Sequence, residues 1–299
     1  MSHRVRTWFA IAAVVASVAA CGSGTDGGTT PSPSATASPT GTSAVTPTTP
    51  TPVSPTSPTP TTRPPSTPAV PTPTPTRTTT PPPPTACQLT AEYHGQDLTL
   101  VPTTSKVAVL TFDGGASSTG VASILTTLAA KRAAATFFLT GDFVRDHPAS
   151  ARSISAAHPV GNHSDTHPDL TTLPSTRVVD EVRDGAAAIR AVTGRAPGPW
   201  FRFPYGARDA RTIGLVNDEC YVAVRWTVDS LGWKGTSGGM TVASVRDRVL
   251  AAARPGMIVL MHVGANPDDG TTLDAAALPA IIDGLRARGY RFVTLQQAL

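Results

Sequence analysis

From Tyr93 to the C-terminus, short apolar runs rich in β-branched residues alternate with longer stretches in which apolar residues recur at helical spacing. The short runs predict strands. They are Val107–Phe112, Ala135–Leu139, a short strand before Asn162, Trp200–Phe203, Tyr221–Thr227, Met257–Met261 and Arg291–Thr294. The longer stretches predict helices, which are Val121–Arg132, His147–Ala157, Ser175–Val192 with Ser175 as its N-cap, Val242–Ala252 and Leu278–Arg288.

Strands that are apolar on both faces and alternate with helices are typical of a parallel sheet, either closed into a barrel or doubly wound. Polar residues follow almost every predicted strand, and these are Asp113, His163, His167, Arg202, Asp229 and His262. In a (β/α) barrel the C-terminal ends of the strands converge on one face, where active sites form. We therefore predict an α/β fold, a distorted (β/α) barrel of about seven strands, with these residues along one rim.

The first twenty residues have the pattern of an export signal. Arg4 and Arg6 precede an apolar stretch, Trp8–Ala20, which is shorter than the roughly 20 residues that a membrane-spanning helix needs. The sequence Val18-Ala19-Ala20-Cys21-Gly22 resembles a bacterial lipobox. We expect residues 1–20 to be removed and Cys21 to be lipidated, which would anchor the protein to the outer face of the cell membrane. The alternative is an ordinary signal peptide with an incidental cysteine.

Residues 21–86 have a different composition from the rest of the chain. Most of the 30 prolines fall between Pro31 and Pro84, and no aromatic residue occurs between Phe9 and Tyr93. Such a segment cannot bury enough apolar surface to offset the entropy of ordering. We predict a disordered Pro/Thr-rich tether with a reach on the order of 100–200 Å. The folded domain is then residues 87–299, long enough for one well-buried core.

The formal net charge of +4 does not indicate nucleic-acid binding, because the basic residues are scattered and form no run. We expect no nucleic-acid partner, a monomer, and at most a mild attraction to an anionic cell envelope.

Export changes how the cysteines are interpreted. With Cys21 lipidated, Cys87 and Cys220 remain as a pair, and an oxidising compartment favours a disulfide between them. That bond would join the start of the domain to its body. The alternative is two separately buried thiols.

The segment His163-Ser164-Asp165-Thr166-His167 holds two histidines at i and i+4, a spacing that on one helical face can chelate a divalent ion. Asp113 supplies a carboxylate that could act as a general base or as a ligand, and His262 could protonate a leaving amine if a carboxylate partner tuned it. Each residue has a simpler explanation, a turn cap or a core histidine, but together they indicate a hydrolytic metal site.

Five segments in this order resemble the motifs of the polysaccharide deacetylases of the chitooligosaccharide-deacetylase homology type. They are Thr111-Phe112-Asp113-Gly114-Gly115, His163-Ser164-Asp165-Thr166-His167, Arg202-Phe203-Pro204-Tyr205-Gly206, Asp229-Ser230-Leu231-Gly232-Trp233 and Leu260-Met261-His262. The resemblance runs from about Lys106 to the C-terminus. It implies a distorted (β/α) barrel with fewer than eight full units.

The resemblance also implies a role for each matching residue. Asp113 corresponds to the catalytic base, His262 to the general acid, and His163 and His167 to metal ligands. The supporting residues are Arg202, which orients the base; Tyr205, whose backbone N–H binds the oxyanion; Asp229, which tunes the histidine of the fifth motif; and Trp233 and Leu260, which line the acetyl pocket. The implied cofactor is a divalent metal, most often Zn²⁺, with Co²⁺, Ni²⁺ or Mn²⁺ as alternatives.

Two positions depart from the family pattern. The second aspartate of the first motif, usually a metal ligand, is Gly114, and the aspartate that usually precedes Trp233 is Gly232. Losing an anionic ligand should weaken metal binding. The metal would then be held by two histidines and waters, with Asp113 recruited as a ligand or Asp165 moving in.

These expectations favour an exported enzyme that removes N-acetyl groups from a cell-wall polysaccharide, most simply from N-acetylglucosamine of peptidoglycan. A second hypothesis is a catalytically silent wall-binding module, which the loss of the carboxylate at position 114 motivates. A third keeps the chemistry and changes the polymer to chitin, xylan or another wall glycan, because substrate choice resides in loops.

Overall fold

The computed structural model describes residues 86–299; the export signal, Cys21 and the tether are predictions that lie outside the described residues. Within these residues, nine strands form one sheet. They are β1 (Asp97–Leu98), β2 (Val107–Gly114), β3 (Ala135–Leu139), β4 (Val160–Asn162), β5 (Trp200–Phe201), β6 (Val222–Val224), β7 (Val228–Asp229), β8 (Met257–His262) and β9 (Arg291–Phe292).

Nine α-helices accompany the sheet within residues 86–299. They are α1 (Ala86–Glu92), α2 (Val121–Ala130), α3 (Gly141–Asp146), α4 (Pro148–Ala157), α5 (Ser175–Thr193), α6 (Ala210–Asp218), α7 (Val242–Ala251), α8 (Leu273–Ala287) and α9 (Leu295–Ala298). None of these helices combines the length and the apolar character that crossing a bilayer requires.

The sheet has the strand order β1-β6-β5-β4-β3-β2-β8-β7, with β9 added beside β2, and every pair of named strands is parallel. The sheet curls into a partial barrel, which confirms the predicted α/β class. The strand count exceeds the predicted seven for two reasons. Strand β1, only two residues long, was too short to predict, and the predicted strand Tyr221–Thr227 is divided into β6 and β7. It divides because the chain pairs with β5 and β1 up to Val224 and with β8 from Val228.

The longest strand, β2, is buried throughout, and the side chains on its two faces pack in different apolar clusters. Ala108, Leu110 and Phe112 pack in the main apolar cluster with the helices outside the barrel, whereas Val109 packs in a second cluster with the interior of the sheet. Because side chains alternate along a strand, Asp113 shares the interior face with Val109. Asp113, the predicted catalytic base, therefore lies on the face of β2 that is directed into the barrel.

Some of the predicted helices begin at a different residue in the structure, and several short helices with little periodicity escape prediction. Ser175 is the first helical residue of α5 and not its N-cap; the capping position is Pro174, which makes no side-chain capping bond. Helix α8 begins at Leu273, five residues before the predicted start, and accommodates Pro279 in its interior. The short helices α1, α3, α6 and α9 were not predicted.

A disulfide joins Cys87 of α1 to Cys220, which follows α6, with their Cα atoms 4.6 Å apart. The two cysteines are separated by 133 residues along the chain. A crosslink that closes so long a loop removes much conformational freedom from the unfolded chain. It also fixes the N-terminal edge of the domain beside β6.

We expect Cys87→Ser to lower the free energy of unfolding by about 2–5 kcal/mol, which corresponds to a fall in Tm of roughly 5–15 °C for a domain of this size. Thermal unfolding followed by circular dichroism measures the change. Reductant should lower the Tm of the wild type to the same value and leave that of the variant unchanged. An equal Tm for the oxidised wild type and the variant would show that the crosslink contributes nothing.

Candidate active site

Asp113 and His262 face each other at the C-terminal ends of adjacent strands. The parallel pairing of β2 with β8 makes them Cα partners, and the pairing of β2 with β3 places Gly114 opposite Leu139 at the same edge. Because the two strands are locked in register along six residue pairs, the separation of a carboxylate and an imidazole is set by the backbone rather than by flexible loops.

Beneath them lies Arg202, whose side chain is fully buried. Its Nη1 donates to Asp113 Oδ1 at 2.7 Å and to Thr111 Oγ1 at 2.8 Å. Its Nη2 and Nε donate to the carbonyl oxygens of Arg225 (2.9 Å) and Val224 (3.3 Å). The guanidinium carbon lies 4.1 Å from the centre of the Phe138 ring. The arginine is held from several sides and presents one charge-assisted bond to Asp113.

That contact determines the charge of the carboxylate. Burial by itself would raise the pKa of Asp113, but Arg202, with smaller contributions from His163 and His262, outweighs burial and lowers it below its ordinary value. Asp113 is therefore an anion at neutral pH. Arg202 occupies Oδ1, while Oδ2 lies 3.5 Å from His163 Nε2.

His163 and His167 converge, but not on a helical face as the i, i+4 spacing predicted. They lie on a loop after β4 whose residues Ser164 and His167 have positive φ angles of 68° and 62°. The ring centres are 4.9 Å apart in an edge-to-face arrangement. The chain bends at Asp165 and Thr166, between the two histidines, and so brings the rings together without a helix.

Helix α5 supports this loop through a carboxylate that the sequence did not single out. Buried Glu181 accepts hydrogen bonds from the backbone N–H groups of Asp165 (3.0 Å) and Thr166 (2.8 Å), and from Thr166 Oγ1 (2.8 Å). Gly185 lets the loop approach closely, because a Cβ there would lie 2.6 Å from the carbonyl oxygen of Ser164. The strained turn is thereby held by the helix behind it.

Both loop histidines are neutral at pH 7. Burial lowers the pKa of His163, and burial together with His163 lowers that of His167 to about 4. His163 Nδ1 lies 2.7 Å from the carbonyl oxygen of Arg202, which acts as the acceptor, so Nε2 is the unprotonated nitrogen. A neutral imidazole whose other ring nitrogen donates to a carbonyl is the usual state of a metal-ligating histidine.

The donor set around these histidines is small. Within residues 86–299 no group of three His, Cys, Asp or Glu side chains is arranged to hold a metal ion. A Cβ on Gly114 would lie 2.7 Å from Leu139 Cδ2 and 3.3 Å from the Phe143 ring, so apolar atoms fill the space beside that position. Asp165 is ion-paired with Arg145 at 2.8 Å. His163 and His167 are therefore the two neighbouring imidazoles that this rim offers to a divalent ion, and Asp113 Oδ2 lies 3.5 Å from His163 Nε2.

The resemblance implied Asp229 as the carboxylate that tunes His262; the carboxylate in contact with His262 is Asp274, and Asp229 contributes a smaller electrostatic effect. Asp274 Oδ2 accepts the backbone N–H of His262 at 2.9 Å and lies 3.5 Å from Nδ1 of the ring. Asp229 instead accepts from the N–H of Leu231 (2.8 Å) and from the indole of Trp233 (3.3 Å). Burial would lower the pKa of His262, but Asp274, followed by Asp113 and Asp229, raises it above its ordinary value.

The rim encloses a cleft of about 820 Å³. Eight of the nine residues predicted for the catalytic centre line it, namely Asp113, His163, His167, Tyr205, Asp229, Trp233, Leu260 and His262; Arg202 lies beneath. Tyr205 and Trp233 are 72% and 46% exposed, so two aromatic rings are presented at the cleft. Trp226 also lines it and was not predicted. The motif order would have predicted neither Trp226 nor Asp274, because both lie outside the five motifs.

Comparison with known proteins agrees with this geometry. The sequence profile of the polysaccharide deacetylase family matches residues 101–224. A chitooligosaccharide deacetylase of Rhizobium leguminosarum bv. trifolii is 37% identical over 63% of this chain and 89% of its own length. The peptidoglycan-N-acetylglucosamine deacetylase PgdA of Listeria monocytogenes is 35% identical over 65% of this chain and 39% of its length.

The crystal structure of BA3943, a CE4 family pseudoenzyme from Bacillus anthracis, superposes with a TM-score of 0.59 at 30% identity, over 65% of each chain. The fold is thus shared with a relative described as a pseudoenzyme, whereas the two relatives found by sequence are described as deacetylases. Because similarity to the Rhizobium enzyme extends over nearly all of that protein, this chain belongs to the polysaccharide deacetylase family of hydrolases.

Proposed function

We propose that this protein removes N-acetyl groups from a cell-wall polysaccharide, with N-acetylglucosamine of peptidoglycan as the substrate, by metal-dependent hydrolysis. The observation that carries the proposal is the pair Asp113 and His262, held opposite each other on β2 and β8 with pKa values displaced in opposite directions. A carboxylate with a lowered pKa paired with an imidazole with a raised pKa is the combination that general base and general acid catalysis requires.

Asp113 is the general base. Arg202 occupies Oδ1, so Oδ2 is the oxygen that accepts a proton from the attacking water. The water oxygen forms a bond to the acetyl carbonyl carbon, and the proton that it loses passes to the carboxylate. Arg202 keeps the carboxylate oriented and anionic before each turnover, as its double contact with Thr111 and Asp113 indicates.

His262 is the general acid. An amine is a poor leaving group unless it is protonated as the C–N bond breaks. The imidazole lines the same cleft as His163 and His167, and its raised pKa favours the protonated ring that a general acid needs. Proton transfer to the sugar nitrogen releases the free amine and leaves acetate as the second product.

His163 and His167 are the protein ligands of a divalent ion, with Zn²⁺ the first candidate and Co²⁺, Ni²⁺ or Mn²⁺ as alternatives. When bound, such an ion polarises the acetyl carbonyl oxygen as a Lewis acid. The neutral rings and the carbonyl acceptor at His163 Nδ1 support this assignment. With Gly114 in place of a carboxylate, the donor set carries less negative charge, so we expect weaker metal binding than a site with an aspartate there.

Tyr205, Trp233 and Leu260 provide the substrate contacts. The exposed rings of Tyr205 and Trp233 present flat apolar area to a sugar, and Leu260 provides an apolar wall inside the cleft. The backbone N–H of Tyr205, a residue with a positive φ of 58°, is proposed to donate to the oxyanion. Chitin and xylan remain alternative polymers.

We further propose that the domain works outside the cell, anchored by lipidated Cys21 and extended by residues 22–86. The apolar stretch before Cys21 and the Pro/Thr-rich composition after it support this location. The disulfide between Cys87 and Cys220 is consistent with an oxidising compartment.

A catalytically silent wall-binding module is the second candidate. It is favoured by Gly114, whose side-chain space is filled by Leu139 and Phe143, and by similarity to a family pseudoenzyme. Release of acetate separates the two candidates, because a binding module would retain affinity for the glycan and release none.

Purified protein with added Zn²⁺ should release acetate from N-acetylated peptidoglycan, measured by an acetate assay and by mass spectrometry of muropeptides. Asp113→Asn should lower kcat by about 10²- to 10⁴-fold, because the amide cannot accept the proton. Asp180→Asn, an exposed carboxylate paired with Arg177, is the matched control. Failure of the wild type to release acetate from any acetylated glycan would exclude the deacetylase proposal.

Elemental analysis should find one divalent ion per chain, and His163→Ala should abolish its retention, since one of two protein ligands is lost. The exposed His94 gives the control His94→Ala, which should retain the metal. Equal metal content in both variants would rule out His163 as a ligand.

The activity of the wild type should persist as the pH falls below neutral and should decline only above the ordinary histidine value of 6.5. The lowered pKa of Asp113 keeps the base anionic as pH falls, and the raised pKa of His262 keeps the acid protonated until the pH exceeds the ordinary histidine value of 6.5. A profile of kcat/KM against pH reports both groups in the free enzyme. An alkaline limb that begins below 6.5 would contradict the assignment of His262.

A further inference from the structure

Asp274 lies outside the five motifs, in the first turn of α8, and its side chain is only 4% exposed. A buried carboxylate needs partners to stay charged. Its Oδ2 accepts the backbone N–H of His262 at 2.9 Å, and the N-terminal end of a helix favours a negative charge. The Asp274 carboxylate thus lies between a backbone donor and the start of α8, behind the histidine that lines the cleft.

The ring of His262 is turned toward this carboxylate. Nδ1 of the ring lies 3.5 Å from Asp274 Oδ2, an ion-pair distance, and makes no hydrogen bond within the described residues. Asp274 Oδ1 likewise has none there. The two groups are thus each other's available partner. With Nδ1 directed at Asp274, Nε2 is the nitrogen left to face the cleft.

Gly232 makes this arrangement sterically possible. A Cβ on Gly232 would overlap Asp274 Oδ1 and lie 2.5 Å from its Cγ and 2.8 Å from its Oδ2. Gly232 does not have a positive φ, so its backbone does not require glycine, whereas the space does. The carboxyl group of Asp274 fills the volume that a side chain at position 232 would take.

Asp229 cannot take over this function in its present position. Both of its carboxylate oxygens are used, by the N–H of Leu231 and by the indole of Trp233. Its effect on His262 is also weaker than the effects of Asp274 and Asp113. The loop after β7 therefore supplies no free carboxylate to the ring, and the carboxylate comes from α8.

We propose that Asp274 is the positioning residue for His262: its carboxylate accepts the Nδ1–H of the ring and holds Nε2 toward the scissile bond, and Gly232 is required because that carboxylate occupies its side-chain space. This inference rests on the proposed function and deepens it. A proton then passes from His262 Nε2 to the leaving nitrogen, and Asp274 stabilises the charged ring before the transfer without itself taking a proton.

The first test compares two substrates with Asp274→Asn, whose carboxamide oxygen can still accept the backbone N–H of His262. For an N-acetylglucosamine oligomer, kcat should fall about 10- to 100-fold with KM changed less than about twofold, as expected for a residue that supports a catalytic group. Hydrolysis of 4-nitrophenyl acetate, whose leaving group needs no proton, should change less than about threefold. Asp283→Asn, an exposed position on the same helix, is the control.

Relocating the carboxylate is the second test. Asp274→Ala should lose activity on the oligomer. The double variant Gly232→Asp/Asp274→Ala should have a kcat at least about tenfold higher than that of Asp274→Ala. Gly232→Asp alone should lower activity, because two side chains compete for one volume. Tm values identify any variant that fails to fold. Equal losses on both substrates for Asp274→Asn, or no recovery in the double variant, would overturn the proposal.

A readout that does not depend on turnover keeps the two proposals separable. Histidine ¹⁵N spectra, with His262 assigned by comparison with His262→Gln, should show a protonated, hydrogen-bonded Nδ1 in the wild type that is altered in Asp274→Asn. If the wild type releases no acetate, the proposed function fails while this spectrum still tests the contact. An unchanged His262 resonance in Asp274→Asn would overturn the inference even in an active enzyme.

Discussion

The bond between Arg202 and Asp113 is the interaction on which the rest of the rim depends. Arg202 is fully buried, and its donors reach Thr111 and Asp113 on β2 as well as the carbonyl oxygens of Val224 and Arg225. The backbone carbonyl oxygen of Arg202 accepts a hydrogen bond from Nδ1 of His163. One side chain and one carbonyl thus connect the base, the histidine loop and β6. Removing one partner of such a buried pair typically costs about 3–5 kcal/mol, because the other charge is left uncompensated.

The number of carboxylates in this site depends on which atoms occupy the side-chain space at Gly114 and at Gly232. At position 114 apolar atoms of Leu139 and Phe143 take the space of a side chain, and a carboxylate is missing from the donor set. At position 232 the space is filled by the carboxylate of Asp274 instead. The first substitution removes a negative charge beside the histidine pair, whereas the second is offset by a carboxylate from another element. The two glycines that depart from the family pattern therefore have different physical consequences.

Much of the architecture could be predicted from the printed residues. The buried strands β2, β3 and β8 each carry a dense apolar run, so their positions and parallel pairing followed from periodicity, and Asp113 and His262 followed from their place at strand ends. Elements of two residues, such as β1, have no period to detect. The histidine loop was predicted as a helical face because spacing alone does not distinguish a helix from a turn with positive φ at Ser164 and His167. The predicted start of α8, Leu278, lies beyond Asp274, so the sequence does not identify this carboxylate as part of the helix.

By itself the sequence determined the fold class, the order of chemical groups along the chain and the two departures from the family pattern, because apolar periodicity and motif order are local properties. Only the tertiary structure decided which groups meet. It placed Asp274 in contact with His262 and Asp165 in an ion pair with Arg145, and it brought Cys87 and Cys220 within bonding distance, as the sequence favoured. The reason is physical: burial and contact depend on the packing of elements that lie far apart along the chain, and no local pattern records that a glycine leaves room for a carboxylate from another helix.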